Sequence, residues 1–71
     1  MSEEVVAEMV ANVWKVVVSE GDEVDEGDTL VILESMKMEI PVEATAAGRV
    51  SQIAVTEGAT VQEGDVIAVI D

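Results

Sequence analysis

Shifted by 37 residues, the second half of this chain repeats the first. Val13 falls on Val50, Val18 on Val55, Glu20-Gly21 on Glu57-Gly58, Val24 on Val61, and Glu26-Gly27-Asp28 on Glu63-Gly64-Asp65. The conservative pairs Val16/Ile53, Leu30/Ile67, Ile32/Val69 and Glu34/Asp71 fill in between. Self-similarity at a fixed offset means that one supersecondary unit is used twice. With 71 residues in all, there is room for one domain, residues 1–71, whose repeated units run over about 11–34 and 48–71. Close to the join of the two copies stands Lys37, one of only three basic residues.

The repeated unit reads as β-structure. Val13 to Val18, Leu30 to Leu33, Met38 to Val42, Val50 to Val55 and Val66 to Ile70 are short β-branched or apolar runs bounded by Gly-Asp, Glu-Gly or Ala-Gly signals. No stretch carries a helical period. Alternation predicts that Trp14, Val16 and Val18 face inward with their counterparts Ser51, Ile53 and Val55, while Lys15 and Gln52 face out. On the later strand of each unit, Leu30/Ile32 and Ile67/Val69 are the expected inward pairs. Gly21, Gly27, Gly58 and Gly64 recur at matching places, as tight turns with positive φ require. Pro41 cannot donate to a ladder, so it predicts an edge position or a strand end. Two units of about four short strands each, joined through Lys37, predict an all-β flattened barrel or sandwich. It would hold two four-stranded antiparallel sheets with pseudo-twofold symmetry, the Lys37 turn at one end and both termini at the other.

Composition narrows the function. Sixteen acids against three bases give a formal net charge of −13, which argues against neutralising nucleic-acid phosphates or anionic membrane surfaces. Most of these acids read as solubilising turn residues. No apolar run reaches the length of a membrane span. The start, Met1-Ser2-Glu3-Glu4, lacks the basic region and apolar stretch of a secretory signal, so an unprocessed, cytoplasmic chain is expected.

With no histidine and no cysteine, the commonest general base, the thiol nucleophile and the usual zinc ligands are missing. The serines have no base to activate them, so a catalyst acting by itself is not expected. The acid-rich turn Asp22 to Asp28 fails as a calcium loop, because counting from Asp22 puts Val24 and Leu33 where oxygen donors are needed; no metal site is expected. Lys37 remains as the reactive group. A lysine amine in water is protonated at neutral pH and inert, so another enzyme must deliver an activated acyl group and take the proton. Met36 and Met38 are flexible and polarisable, suited to contact with a surface that recognises the turn, and equally suited to filling the edge of a core.

Glu34-Ser35-Met36-Lys37-Met38, with Glu39-Ile40-Pro41 and the flanking glycine turns, resembles the attachment site of biotinyl domains, the carrier modules of biotin-dependent carboxylases and decarboxylases. The resemblance runs from Ala7 to Asp71. Lipoyl domains share that architecture but usually set Asp before and Ala after the modified lysine; methionine on both sides favours biotin over lipoate. The resemblance implies that Lys37 is the biotinyl-lysine, loaded by a biotin protein ligase from biotinyl-adenylate. It further implies that Met36, Met38 and Glu34 are read by that ligase. The carried group would shuttle a carboxyl between a biotin carboxylase and a carboxyltransferase, with no catalytic residue in the carrier itself. Two departures stand out. Glu8-Met9-Val10-Ala11 replaces the Pro-Met and Gly pattern that opens many such modules, and no insertion corresponds to the protruding thumb of some acetyl-CoA carboxylase carriers.

Overall fold

In the computed structural model, which describes residues 2–71, every regular element is a strand. In chain order they are β1 (Glu3–Val6), β2 (Ala11–Val16), β3 (Glu23–Val24), β4 (Thr29–Ser35), β5 (Met38–Glu43), β6 (Gly48–Ile53), β7 (Thr60–Val61) and β8 (Val66–Ile70). They form two four-stranded sheets, ordered β1-β8-β6-β3 and β5-β4-β2-β7, with antiparallel pairing throughout. The all-β expectation and the two antiparallel sheets are therefore realised. No helix among the described residues is long and apolar enough to cross a membrane.

The 37-residue offset governs the backbone contacts as well as the sequence. Gly21 N–H donates to the Val50 carbonyl at 2.7 Å and Val50 N–H to that of Asp22 at 2.8 Å; Gly58 with Val13, and Val13 with Ala59, repeat the pattern at 2.8 and 2.7 Å. Gly27 with Ala44 and Ala44 with Asp28 are matched by Gly64 with Ala7 and Ala7 with Asp65. Each turn of one half is thus tied to a strand of the other or to the residue that follows one. All four turn glycines hold φ between 90 and 94°, a region open to glycine at little cost. The acids beside them have a structural use beyond solubility. Carboxylates of Asp22, Asp28 and Asp65 accept the backbone N–H of Ser19, Asp25 and Gln62 at 2.8–2.9 Å, closing each turn. Glu20 and Glu57 reach across to the N–H groups of Ile53 and Val16, again as symmetric partners.

The core is aliphatic and symmetric: Leu30 with Ile67, Leu33 with Ile70, Val13 with Val50 and Val24 with Val61 are all buried. Four inward assignments need correction, in two symmetric pairs: Trp14 with Ser51 and Ile32 with Val69. Trp14 is 48 % exposed, because a β-bulge between Val13 and Lys15 makes Trp14 an extra residue against β4. Alternation then changes phase: Ala11 and Val13 point inward before the bulge, Val16 and Val18 after it. The same bulge recurs between Val50 and Gln52, turning Ser51 outward. A second pair of irregularities, at Leu30 against β5 and at Ile67 against β1, sinks Leu30 with Val31 and Ile67 with Ala68. Leu33 and Ile70, not Ile32 and Val69, continue the inward rows. Pro41 does lie on an edge strand, β5.

The β1–β2 connection, where a glycine pattern was missing from the sequence, contains no positive-φ residue, and Ala11 is buried at the start of β2. Its counterpart Gly48 also lacks positive φ; a Cβ there would overlap the Asp71 carbonyl oxygen, so glycine serves close strand approach.

Candidate functional site

β4 and β5 form a hairpin whose last pair is Ser35 with Met38, leaving Met36 and Lys37 as a two-residue loop. Both adopt positive φ, 51° and 67°. Positive φ at both central residues is the signature of a type I′ turn, whose twist matches the strands it joins. That turn is usually made with Asn and Gly. A side chain with a Cβ held in this region costs on the order of 1 kcal/mol, and here two consecutive residues bear that cost. The strain falls on Lys37 and its neighbour.

Strain at the tip goes with full projection into solvent. Lys37 is exposed, and its side chain hydrogen-bonds to no other described residue. Met36 is 92 % and Met38 65 % exposed, so neither fills the edge of the core. Lys15 and Arg49 are exposed too, but they lie on β2 and β6 within sheets, while Lys37 sits at the apex of a turn. Two surface depressions, one between β1 and β5 and one beside β7, do not include Lys37. The amine stands clear of the body, with no enclosing cleft.

Glu34 pairs directly with Glu39 across the hairpin, one position below the Ser35–Met38 pair. Both carboxylates are exposed. Like charges directly opposite each other destabilise an antiparallel pair, so this end of the sheet is acidic at some cost. Of the two, the resemblance implies a recognition role for Glu34 alone, with Glu39 entering only as part of the flanking run. Counting outward from a two-residue loop at Met36-Lys37 would have put the two opposite each other. No group of three or more possible metal-ligating residues is found among the described residues.

Comparison with known proteins fixes the family. A family model described as "Biotin-requiring enzyme" matches residues 2–70. The chain belongs to the biotin/lipoyl attachment family. This biotin/lipoyl domain is 67% identical over 51 residues to the biotinylated protein TB7.3 homolog of Mycobacterium leprae, a stretch covering 72% of each chain. It is 51% identical over 43 residues to the biotin/lipoyl attachment protein of Bacillus subtilis, covering 61% of this chain and 59% of that one. Among solved structures, the domain superposes on Kluyveromyces lactis urea carboxylase with a TM-score of 0.94 and 39% identity, covering all of this chain and 6% of the other. A single-chain, multi-domain long-chain acyl-CoA carboxylase matches with a TM-score of 0.89 and 34% identity over 96% of this chain and 7% of its own. In both carboxylases, the biotin/lipoyl domain corresponds to a small part of a much longer chain.

Proposed function

We propose that Lys37 is the attachment point for covalent biotin and that the domain acts as a biotin carboxyl carrier. The observation that carries this is the Lys37 amine at the apex of a strained I′ turn, free in solvent, in a chain of the biotin/lipoyl family. The site suits the group: acylation needs an unencumbered primary amine that can enter another protein's active site, and the hairpin offers one with a fixed base. Bound as an amide, biotin supplies a ureido nitrogen able to take up a carboxyl group at one site and release it at another.

The chain's own part is positional. Once a ligase had taken its proton, the Lys37 Nζ would attack the carbonyl of biotinyl-adenylate, the acyl–phosphate bond would break with AMP as the leaving group, and an ammonium would be exchanged for a neutral amide. Met36 and Met38 offer apolar surface on either side for the ligase to read, and Glu34 with Glu39 sets an acidic collar that draws basic surfaces to the turn. The β-body contributes no acid, base or nucleophile. It fixes where the arm begins and so raises the effective concentration of the carried group at two successive partners, a biotin carboxylase and a carboxyltransferase.

The test is co-expression with biotin protein ligase followed by intact-mass measurement. Mass for one biotin is expected on the parent and none on Lys37→Arg, which keeps the charge but offers a guanidinium that cannot be acylated. Circular dichroism of Lys37→Arg should match the parent. Biotin persisting on that variant, at Lys15 or elsewhere, rejects the assignment. A parallel arm with lipoate ligase separates the lipoyl alternative, which the likeness to a biotin/lipoyl attachment protein keeps in view.

A further inference from the structure

Methionine is an odd choice at this turn on structural grounds. Met36 occupies a left-handed position that disfavours any side chain with a Cβ, and 92 % of its surface is in water. Met38 is 65 % exposed at the first residue of β5. Neither residue belongs to the core, and both lie next to Lys37 in sequence. Oxidation susceptibility of methionine follows exposure, and it converts a flexible apolar group into a polar, chiral sulfoxide. We propose that Met36 and Met38 form a reversible sulfoxidation site that governs whether Lys37 can be loaded. This rests on the biotin-acceptor function above, and adds to it a peroxide-sensitive gate on the unmodified domain.

The chemistry balances with hydrogen peroxide as oxidant. A sulfur lone pair attacks the terminal peroxide oxygen, the O–O bond breaks, the sulfoxide oxygen stays on sulfur, and the departing hydroxide leaves as water after proton transfer. Sulfur is oxidised by two electrons and the peroxide reduced by two. Reversal uses a dithiol reductase of the methionine sulfoxide class: the oxygen leaves as water while two thiols become a disulfide. One enzyme serves each sulfoxide epimer, so full repair needs both. Recognition falls for a simple reason. A partner pocket shaped for a thioether must enclose an added oxygen acceptor for which it holds no donor, and burying an unpartnered polar group is costly. The β-body is untouched, since neither side chain belongs to the core.

Exposure also sets an order. Met36 should oxidise ahead of Met38, and both ahead of Met9, which is 40 % exposed beside β1 and β2. The experiment treats the unmodified domain with graded hydrogen peroxide, maps sulfoxides by peptide mass spectrometry, and measures loading by biotin protein ligase with biotin and ATP. With Met36 and Met38 oxidised, the loading rate should fall by about tenfold or more, as expected when a buried polar atom is left unpaired. Paired sulfoxide reductases should restore it. A Met36→Leu/Met38→Leu double variant retains the other methionines; whatever its own loading rate, peroxide should leave that rate unchanged. Equal loading of oxidised and untreated domain overturns the proposal, as does a double variant that stays peroxide-sensitive. Failure of the untreated parent to gain biotin is a different result, and rejects the carrier function itself.

Discussion

At the scale of single residues, the backbone at Met36 and Lys37 separates what function demands from what stability prefers. A stability-optimised I′ turn would carry Asn at the first position, since asparagine enters the left-handed region routinely and methionine does not. Met36→Asn is therefore expected to stabilise the domain by about 0.5–1 kcal/mol, visible as a rise of a few degrees in melting temperature. The same variant should load biotin more slowly than the parent, because the exposed thioether is gone. A variant both less stable and equally well loaded would show that the turn is not strained and that Met36 is not read. The position of Lys37 between two copies was legible in the sequence; its left-handed conformation was not, because Ser-Met-Lys-Met contains no residue that advertises positive φ. Trp14 misled for a related reason. Strict alternation through Trp14, Val16 and Val18 looks like one inward face, but the bulge at Trp14 needs no glycine and leaves no mark on the pattern.

At the scale of strands, legibility followed length. β2, β4, β5, β6 and β8, of five to seven residues each, were readable from apolar runs and turn signals. β3 and β7 have two residues each, too few to show any period. β1 begins with two acids and is defined by its pairing with β8, which one strand's composition does not reveal. The symmetric strands β2 and β6 differ in an informative way at their first residues. Ala11 begins one and Gly48 the other, and only at Gly48 would an added methyl meet backbone, at the Asp71 carbonyl, as well as the Ile70 side chain. Gly48→Ala should therefore destabilise the domain by about 1–3 kcal/mol through overpacking, measured by urea unfolding. The reverse exchange in the other half, Ala11→Gly, should cost about 0.5–1 kcal/mol from chain entropy. Equal small losses at the two sites would mean that strand β8 can move aside and that the close approach is not a constraint.

At the scale of the whole molecule, the duplication in sequence does not correspond to two separable bodies. One sheet takes β1 and β3 from the first half of the chain and β8 and β6 from the second; the other takes β2 and β4 from the first half and β5 and β7 from the second. Each of the four positive-φ turn glycines donates to a strand or connection of the other half. The Lys37 hairpin is, under this symmetry, the equivalent of the β8–β1 pair, where Glu3 faces Ile70 and the Ser2 hydroxyl donates to Asp71 at 2.6 Å. The twofold thus sends the turn to one end and the meeting of the termini to the other, leaving the amine unobstructed. Cutting the chain at Lys37 tests this interlocking. Residues 1–36 alone keep β2 beside β4 but lose β5, β6, β7 and β8, and with them half of the symmetric core. An isolated hairpin of that kind is marginal in water. Peptides 1–36 and 37–71 should each give disordered circular dichroism spectra and collapsed amide dispersion. An equimolar mixture should regain the β spectrum, in a transition that shifts with concentration because folding has become association. Native dispersion from residues 1–36 alone would show instead that each copy is a folding unit by itself, and that the exchange of strands between the sheets is not what holds the Lys37 turn in place.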